Sequence, residues 1–529
     1  MDNLLNLMIL IISFLIFLFR ILYYLQILQI LEYFNRKYLN HLFRRAKDFI
    51  FDDIFLNILI IFTIIIHFNK FNALFFKFSF LFLLTLSLIY NLSIYKKRKN
   101  FSKKGLKFTK RLKRVFALNI IFFILIIILI FRRIYLISYL LFLAPFLLIL
   151  MNILIYPVEK YINDFYFKDA IKKINEIKPF IIGVTGSYGK TSTKYYIYQF
   201  LKDKYPVEMT PESYNTAMGI TKFIRENLKK DTKIFIVELA ENEVGGFKRL
   251  LKLIKPNILV ITSVGIQHLE EFKNENKIHN EFNFLINYSI LNEDVELIVL
   301  NGDDDFLDEF KDKKIKKGSI YKKSDLYGEI LEEGLKGTKF KLKYDENEIL
   351  CETEIVGKES IRNIILSSLV SLHFGLNIAE LKEKIKILKP FNHRLNVIDN
   401  GNVIIVDDAY NSNPIGAKMA IDLISKYENG RRIVITPGFI ELGKKEFEEN
   451  KNLGIYLSKK VDFVFLVGGK RTKPIYDGLL ESNFPKENIY IFKNFFEANE
   501  NLKKFIKQKD LILFENDLPE IYEEIWLTN

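Results

Sequence analysis

The sequence predicts an N-terminal multi-span α-helical membrane domain followed by α/β structure, with a central P-loop domain of mostly parallel sheet and a Rossmann-like C-terminal domain. Three observations predict it. Residues 1–157 hold five apolar runs of membrane-helix character. From Glu159 and Lys160 onward, short apolar strands alternate with amphipathic helix patterns. At the first of those strands, the string IIGVTGSYGKTSTK (Ile181 to Lys194) joins an apolar run, a glycine loop and a helix start. The expected domains are 1–157, 158–392 and 393–529.

The candidate spans are 4–26, 54–69, 72–94, 116–131 and 135–156. A removable signal peptide does not explain five such runs. Charge orients them, because basic loops stay on the cytoplasmic side. The loop after the first span carries Arg36, Lys37, Arg44, Arg45 and Lys47, and the loop after the third carries eleven basic residues between Lys96 and Arg114. The other two loops hold only Lys70, and Arg132 with Arg133. Alternation over five spans predicts a multi-pass protein of the cytoplasmic membrane, its N-terminus outside and residues 158–529 inside. The basic loops also suit anionic membrane lipids. Arg20, near the inner end of the first span, is expected to snorkel to the interface.

The net charge of +14 resides in the membrane part, since residues 1–157 carry +16 and the rest −2. The basicity therefore gives no sign of a nucleic-acid partner. A single cysteine, Cys351, excludes an intrachain disulfide framework.

In the remainder, apolar strands are expected at 180–184, 233–238, 258–262, 296–300, 403–407, 432–436, 462–467 and 511–514. Residues 318–356, with short alternating runs and glycines, read as a β-rich insert or sheet edge. A domain boundary is expected near Lys389–Asn396, where Pro390 ends a helix.

The glycine string is an anion site. Loop and helix N–H groups around Gly186, Ser187, Gly189 and Ser192 point at a phosphate, and Lys190 adds charge at the β/γ positions of ATP. The Thr191 hydroxyl suits Mg²⁺. Val184 replaces the first glycine of the longer Walker pattern, so the loop is the shorter G-x-x-G-K-T form. Strand 234–238 delivers Glu238 at its C-terminal end, where a carboxylate can hold Mg²⁺. The next strand leads to His268, a candidate third metal ligand.

These blocks resemble the Mur ligase family, the ATP-dependent amide-forming enzymes of cell-wall peptide assembly. GVTGSYGKTS is similar to their nucleotide loop, IVELA to their magnesium-glutamate strand and ITSVGIQHLE to their magnesium-histidine segment. PESYNTAMGI (211–220), GKESIRNIILSSLVSLHFGL (357–376), HRLNVI (393–398), VDDAYNSNP (406–414) and TPGFIELGKKEFEEN (436–450) complete an ordered set over roughly 175–529. VDDAYNSNP is most similar to the family's D-alanyl-D-alanine-adding member. The resemblance implies Asn363 at the adenine and Arg394 at the nucleotide, with Asp408, Tyr410 and Asn411 completing the site from the last domain. Glu441 falls in the last block.

The implied reaction phosphorylates a substrate carboxylate with ATP, and an amine then displaces phosphate from the acyl phosphate. Lys190, Glu238, His268 and Asn411 are the implied catalytic residues, and Thr191, Glu238 and His268 the implied Mg²⁺ ligands. The implied partners are a UDP- or lipid-linked cell-wall precursor peptide and an amino acid or dipeptide, beside membrane-bound wall-synthesis enzymes. Two departures stand out. His279, two residues before Glu281, occupies the place of the family's carbamylated lysine, with Lys277 out of register. The apolar segment stands where the family's UDP-binding domain usually lies. Two other readings of the chain are a Mur-like ligase for a poly-amino-acid or folate-type chain, and a transport ATPase.

Overall fold

Residues 2–44, 53–68, 73–101, 105–211, 214–240, 244–265, 272, 274–410, 413–440 and 442–517 are described by a computed structural model. His268, Asn411 and Glu441 lie outside the described residues. The chain divides into two compact units, the first reaching Ile162 and the second spanning Asn163–Asp517.

Runs of Ile, Leu and Phe make most of the helices of the first unit, α1 (Asp2–Ile30), α3 (Ile54–Phe68), α4 (Ala73–Phe101) and α5 (Lys110–Ile130), which also holds the polar α2 (Asn35–Arg44) and the apolar first part of α6 (Ile137–Ile177), whose residues from Asn163 on belong to the second unit. Four of these helices are long and apolar enough to cross a membrane. The 15 residues of α3 reach only about 22 Å, short of a hydrocarbon core of about 30 Å. Phe17 and Phe123 stack at 4.2 Å between α1 and α5, within the buried apolar cluster. In the short amphipathic α2, Tyr38 and Leu42 are buried while Arg36 and Lys37 face outward.

Arg20 does not snorkel. Its side chain is 3% exposed and lies 4.0 Å from the equally buried Asp53 carboxylate. Asp53 also accepts hydrogen bonds from Ser87 (2.5 Å), Asn91 (2.7 Å) and the Leu56 N–H (3.0 Å). A carboxylate just ahead of α3 thus holds the guanidinium inward, because an ion pair with satisfied lone pairs lowers the cost of burying charge.

The second unit carries two three-layer α/β modules. The first module contains β1 (Phe180–Thr185), α7 (Lys190–Leu201), β2 (Val207–Met209), α8 (Ala217–Glu226), β3 (Ile234–Glu238), α9 (Gly246–Leu250), β4 (Ile258–Ile261) and α10 (Glu275–Leu291). It continues with β5 (Leu297–Asn301), α11 (Asp305–Asp308), β6 (Ile315–Ser319), β7 (Leu326–Gly334), β8 (Gly337–Tyr344), β9 (Asn347–Thr353), α12 (Lys358–His373) and α13 (Ile378–Lys386). The strand order is β2-β3-β1-β4-β5-β6-β7-β8-β9, parallel except for the β7–β8 and β8–β9 pairings.

Alternation along the strands builds two cores. Ile182, Ile236 and Val260 pack with α7 and α12, whereas Ile181, Val237 and Leu259 pack with α8 and α10 on the other face. The glycine-rich 318–356 stretch supplies the antiparallel edge, as its alternating pattern predicts.

The second module contains β10 (Asn396–Asp399), β11 (Ile404–Asp408), α14 (Pro414–Ser425), β12 (Arg432–Thr436), α15 (Glu446–Leu457), β13 (Phe463–Val467), α16 (Lys473–Glu481), β14 (Ile489–Phe492), α17 (Phe495–Phe505) and β15 (Leu511–Glu515). Its order is β10-β11-β15-β12-β13-β14, with only β10 antiparallel. All eight expected strands form within about one residue of their expected ends. β2, β6, β10 and β14 escape sequence patterning, being three to five residues long or, like IKKGS in β6, mostly polar.

Removing one partner of the Arg20–Asp53 pair leaves a buried charge unpaired. Asp53→Ala is expected to destabilise the first unit by about 3–5 kcal/mol, and the double variant Arg20→Met/Asp53→Leu to recover most of the loss. Thermal unfolding of the full chain in detergent checks both.

Candidate functional site: a glycine loop facing a second α/β module

β1 ends at Thr185 and the chain turns at Gly186 (φ 137°) and Gly189 (φ 80°) before α7 starts. Both positions require glycine for two reasons: the positive φ, and space. A Cβ on Gly189 would stand 2.5 Å from Asn363 Oδ1, and one on Gly186 would collide with the Thr262 hydroxyl. The loop is pinned to the segment after β4. Ser187 N–H donates to the Ser263 carbonyl (2.7 Å), Tyr188 N–H to Ser263 Oγ (3.0 Å), and Gly265 N–H to Ser187 Oγ (2.8 Å). This fixes the first turn of α7, whose N–H groups and positive dipole end suit a phosphate.

Lys190 folds back across the loop, its ammonium donating to the carbonyls of Gly186 (2.6 Å) and Ser187 (3.1 Å). Burial lowers its pKa to about 8, against the raising effect of Glu238 and with a further lowering from Arg394.

Glu238 ends β3, in register with Val184 of β1, and its side chain is 2% exposed. Its Oε2 accepts from the Thr191 hydroxyl (3.0 Å) and the Lys194 ammonium (3.1 Å), and its Oε1 from Asn215 Nδ2 (3.3 Å). Burial pushes its pKa up, but Lys194 and Lys190 outweigh it and hold the carboxyl below its usual range. The Thr191 hydroxyl and the Glu238 carboxylate are hard oxygen donors side by side. They fit Mg²⁺, which takes one or two carboxylates and leaves its other positions to phosphate and water.

Two cavities open at the loop. The first is lined by Gly186, Ser187, Gly189, Lys190, Thr191 and Glu238 from the first module and by Arg394, Tyr410 and Asn413. The second is lined by Gly189, Ser192, Asn363, Arg394, Asp408 and Tyr410 among others. Every described residue assigned to the site from sequence therefore borders one cavity or both. Arg394 lies over the Tyr410 ring at 4.4 Å and borders both. It sits between His393 (φ 59°) and Leu395 (φ 48°), two non-glycine residues in the left-handed region. Asp408 Oδ1 accepts the Leu395 N–H at 3.0 Å. Burial pushes the Asp408 pKa up to about 6, against the lowering pull of Arg394 and that N–H and with a further push from Asp407.

His279 does not border these cavities. Its ring stacks on Phe306 at 4.5 Å and 15°, while Glu281, two residues on, borders the first cavity. Sequence reasoning missed Lys194 and Asn215 as Glu238 partners. The signal for Lys194 was its spacing of four from Lys190, which puts both on one side of α7.

This geometry defines a nucleotide-binding α/β module whose phosphate loop is faced by side chains of a second α/β module. Residues 184–371 match the family model of the Mur ligase middle domain and 393–515 that of the Mur ligase glutamate ligase domain. The chain belongs to the Mur ligase family. Among its relatives is the UDP-N-acetylmuramoyl-tripeptide–D-alanyl-D-alanine ligase of Bacillus subtilis, 29% identical over 356 residues, which are 66% of this chain and 76% of the relative. The corresponding ligase of Borreliella burgdorferi is 24% identical over 362 residues, covering 64% and 74%. The fold matches the MurF ligase of Thermotoga maritima in complex with ADP, with a TM-score of 0.60 and 22% identity over 69% of this chain and 82% of that one. MurF of Acinetobacter baumannii matches with a TM-score of 0.58 and 21% identity over 66% and 76%.

Lys190→Ala is expected to abolish ATP turnover while leaving the melting temperature within a few degrees, which phosphate release and calorimetry check. The Lys190 pKa near 8 gives a sign to the pH dependence. The protonated form attracts phosphate, so ATP affinity is expected to fall as pH rises through 8 in the wild type. In Lys190→Arg, whose guanidinium stays charged, that fall is expected to vanish. Fluorescent-nucleotide titration between pH 6.5 and 9.5 measures both.

Proposed function

We propose that the chain is a membrane-anchored, ATP-dependent amide ligase that joins D-alanyl-D-alanine, or a closely related amine, to the peptide carboxylate of a muramoyl-type cell-wall precursor. One observation carries the reading: Lys190, Thr191 and Glu238 of the first module share a cavity with Arg394, Tyr410 and Asn413 of the second. The names of the relatives supply the substrate class.

A carboxylate is a poor electrophile, since its negative charge is shared onto the carbonyl, and it also has a poor leaving group. Phosphorylation by ATP corrects this, and the amine then displaces phosphate to leave an amide. Catalysis of such a transfer is chiefly positioning and charge neutralisation. In this reading the Gly186–Ser192 loop and the start of α7 hold the phosphates, and Lys190 balances the transferred phosphoryl group. Asn363 and Asp408 border the second cavity, where the nucleoside end belongs. Thr191, Glu238 and His268 would hold Mg²⁺, which would supply further charge neutralisation. Asn411 acts from the second module. The domains of this reading are 1–157, 158–392 and 393–529.

The apolar helices α1, α3, α4, α5 and α6 are read as five crossings. The basic segments flanking the α3–α4 hairpin belong on one face, so α3 has to cross despite its length, with local thinning of the bilayer. This puts the N-terminus outside and the ligase modules in the cytoplasm, at the membrane face where lipid-linked precursors and wall-synthesis enzymes work.

Two measurements test the proposal. Full-length protein in lipid is expected to release phosphate from ATP only when UDP-N-acetylmuramoyl-tripeptide and D-alanyl-D-alanine are both present, with an amide product by mass spectrometry. ATP hydrolysis without amide would sink the ligase reading. For the topology, a C-terminal green fluorescent protein fusion is expected to fluoresce and a C-terminal alkaline phosphatase fusion to stay inactive, and the reverse result would refute it.

A further inference from the structure

One buried cation of the first module borders neither cavity yet bonds to Glu238. Lys194 lies one turn after Lys190 on α7 and is 1% exposed. Its ammonium donates to Glu238 Oε2 at 3.1 Å and reaches the Pro211 carbonyl at 3.5 Å. A buried ammonium without a counter-charge is costly, so Lys194 stays beside this carboxylate. A ligand in the first cavity meets Lys194 only through Glu238, which borders that cavity.

The pairing has two opposite consequences for a divalent ion. It holds the carboxylate at the end of β3 in one orientation, which favours coordination. It also fixes a positive charge one hydrogen bond away from a coordinating oxygen, which repels a second cation. Lys190 acts on the same carboxylate from the cavity side. The negative charge of Glu238 is thus already offset by fixed ammonium groups. Nucleotide phosphates reverse the balance, since they bring several negative charges to the loop beside Lys190 and Thr191.

We propose that Lys194 is a positioning residue acting through Glu238: it is the carboxylate's built-in counter-cation and makes divalent-metal binding there conditional on the nucleotide phosphates. The proposal rests on the reading of Thr191 and Glu238 as Mg²⁺ ligands and deepens it by naming the group that couples metal to nucleotide. A lysine that merely shaped the fold predicts the opposite sign, because its loss would loosen the carboxylate and weaken metal binding.

Metal affinity, and not turnover, is the readout. Full-length protein in nanodiscs of neutral lipid is titrated with Mn²⁺ alone, and bound metal is followed by electron paramagnetic resonance. Lys194→Met and Lys194→Gln are expected to bind Mn²⁺ about 10- to 100-fold more tightly than the wild type, the usual size of coupling between two binding events. Lys194→Gln, which keeps a hydrogen-bond donor for Glu238, carries the test if Lys194→Met fails to fold. Lys194→Arg, which keeps the charge, is expected to stay at the wild-type affinity. Adding Glu238→Gln to either charge-removing variant is expected to abolish the gain, which places the metal at that carboxylate. Mn²⁺ affinity equal to or weaker than the wild type in the charge-removing variants would overturn the proposal, as would a gain that survives Glu238→Gln. The affinity of the wild type for a fluorescent ATP analogue, with and without Mn²⁺, separates the two levels. If it responds to Mn²⁺ while the variants show no gain, only the role of Lys194 falls; if it does not respond, the Mg²⁺ reading falls and the proposal with it.

Discussion

The burial of Glu238 is the constraint on which the site depends. A carboxylate at 2% exposure stays ionised only if fixed donors replace water, and here Thr191, Lys194 and Asn215 do so. Two of the three come from α7 and the third from the segment before α8, so one side chain ties the end of β3 to the start of the phosphate-loop helix and to its neighbour. The same ionised group is then a preorganised ligand for a cation. Stability and chemistry therefore draw on one interaction, and the parallel register of β1 with β3 sets its position.

The loop obeys a steric logic. Gly186 and Gly189 allow the backbone to pass against Thr262 and Asn363 in positive-φ conformations. Ser263 and Gly265 then hold the loop from the side of β4. The second module reaches the same space through Arg394, carried on a short segment with two left-handed non-glycine residues. Strain of that kind persists where the surroundings over-determine it. Here the Asp408 carboxylate on the Leu395 N–H and the Tyr410 ring beneath Arg394 do so.

The N-terminal unit solves a different problem. Its helices are apolar on most sides, yet Arg20 and Asp53 lie buried among them. With Ser87 and Asn91 bonded to the carboxylate, the charges serve each other inside the helix cluster. That arrangement removes the isolated arginine that the sequence presented near the end of the first span.

Most of the catalytic half was legible from the chain alone. Local order of residues creates the strand, glycine loop and helix start around Lys190, and a strand end delivers Glu238, so periodicity and spacing reveal them, whereas Asn363, Arg394 and Asp408 were legible only through the family resemblance. The short strands β2 and β6 were hidden, since neither carries a periodic apolar signal and both exist through pairing with neighbours. The tertiary structure alone decided which polar groups share a space. It set Lys194 on Glu238, turned His279 onto Phe306 and brought Glu281 to the cavity wall. Those outcomes depend on how a helix is rotated against a sheet, a property of packing between segments distant in sequence and not of spacing within one.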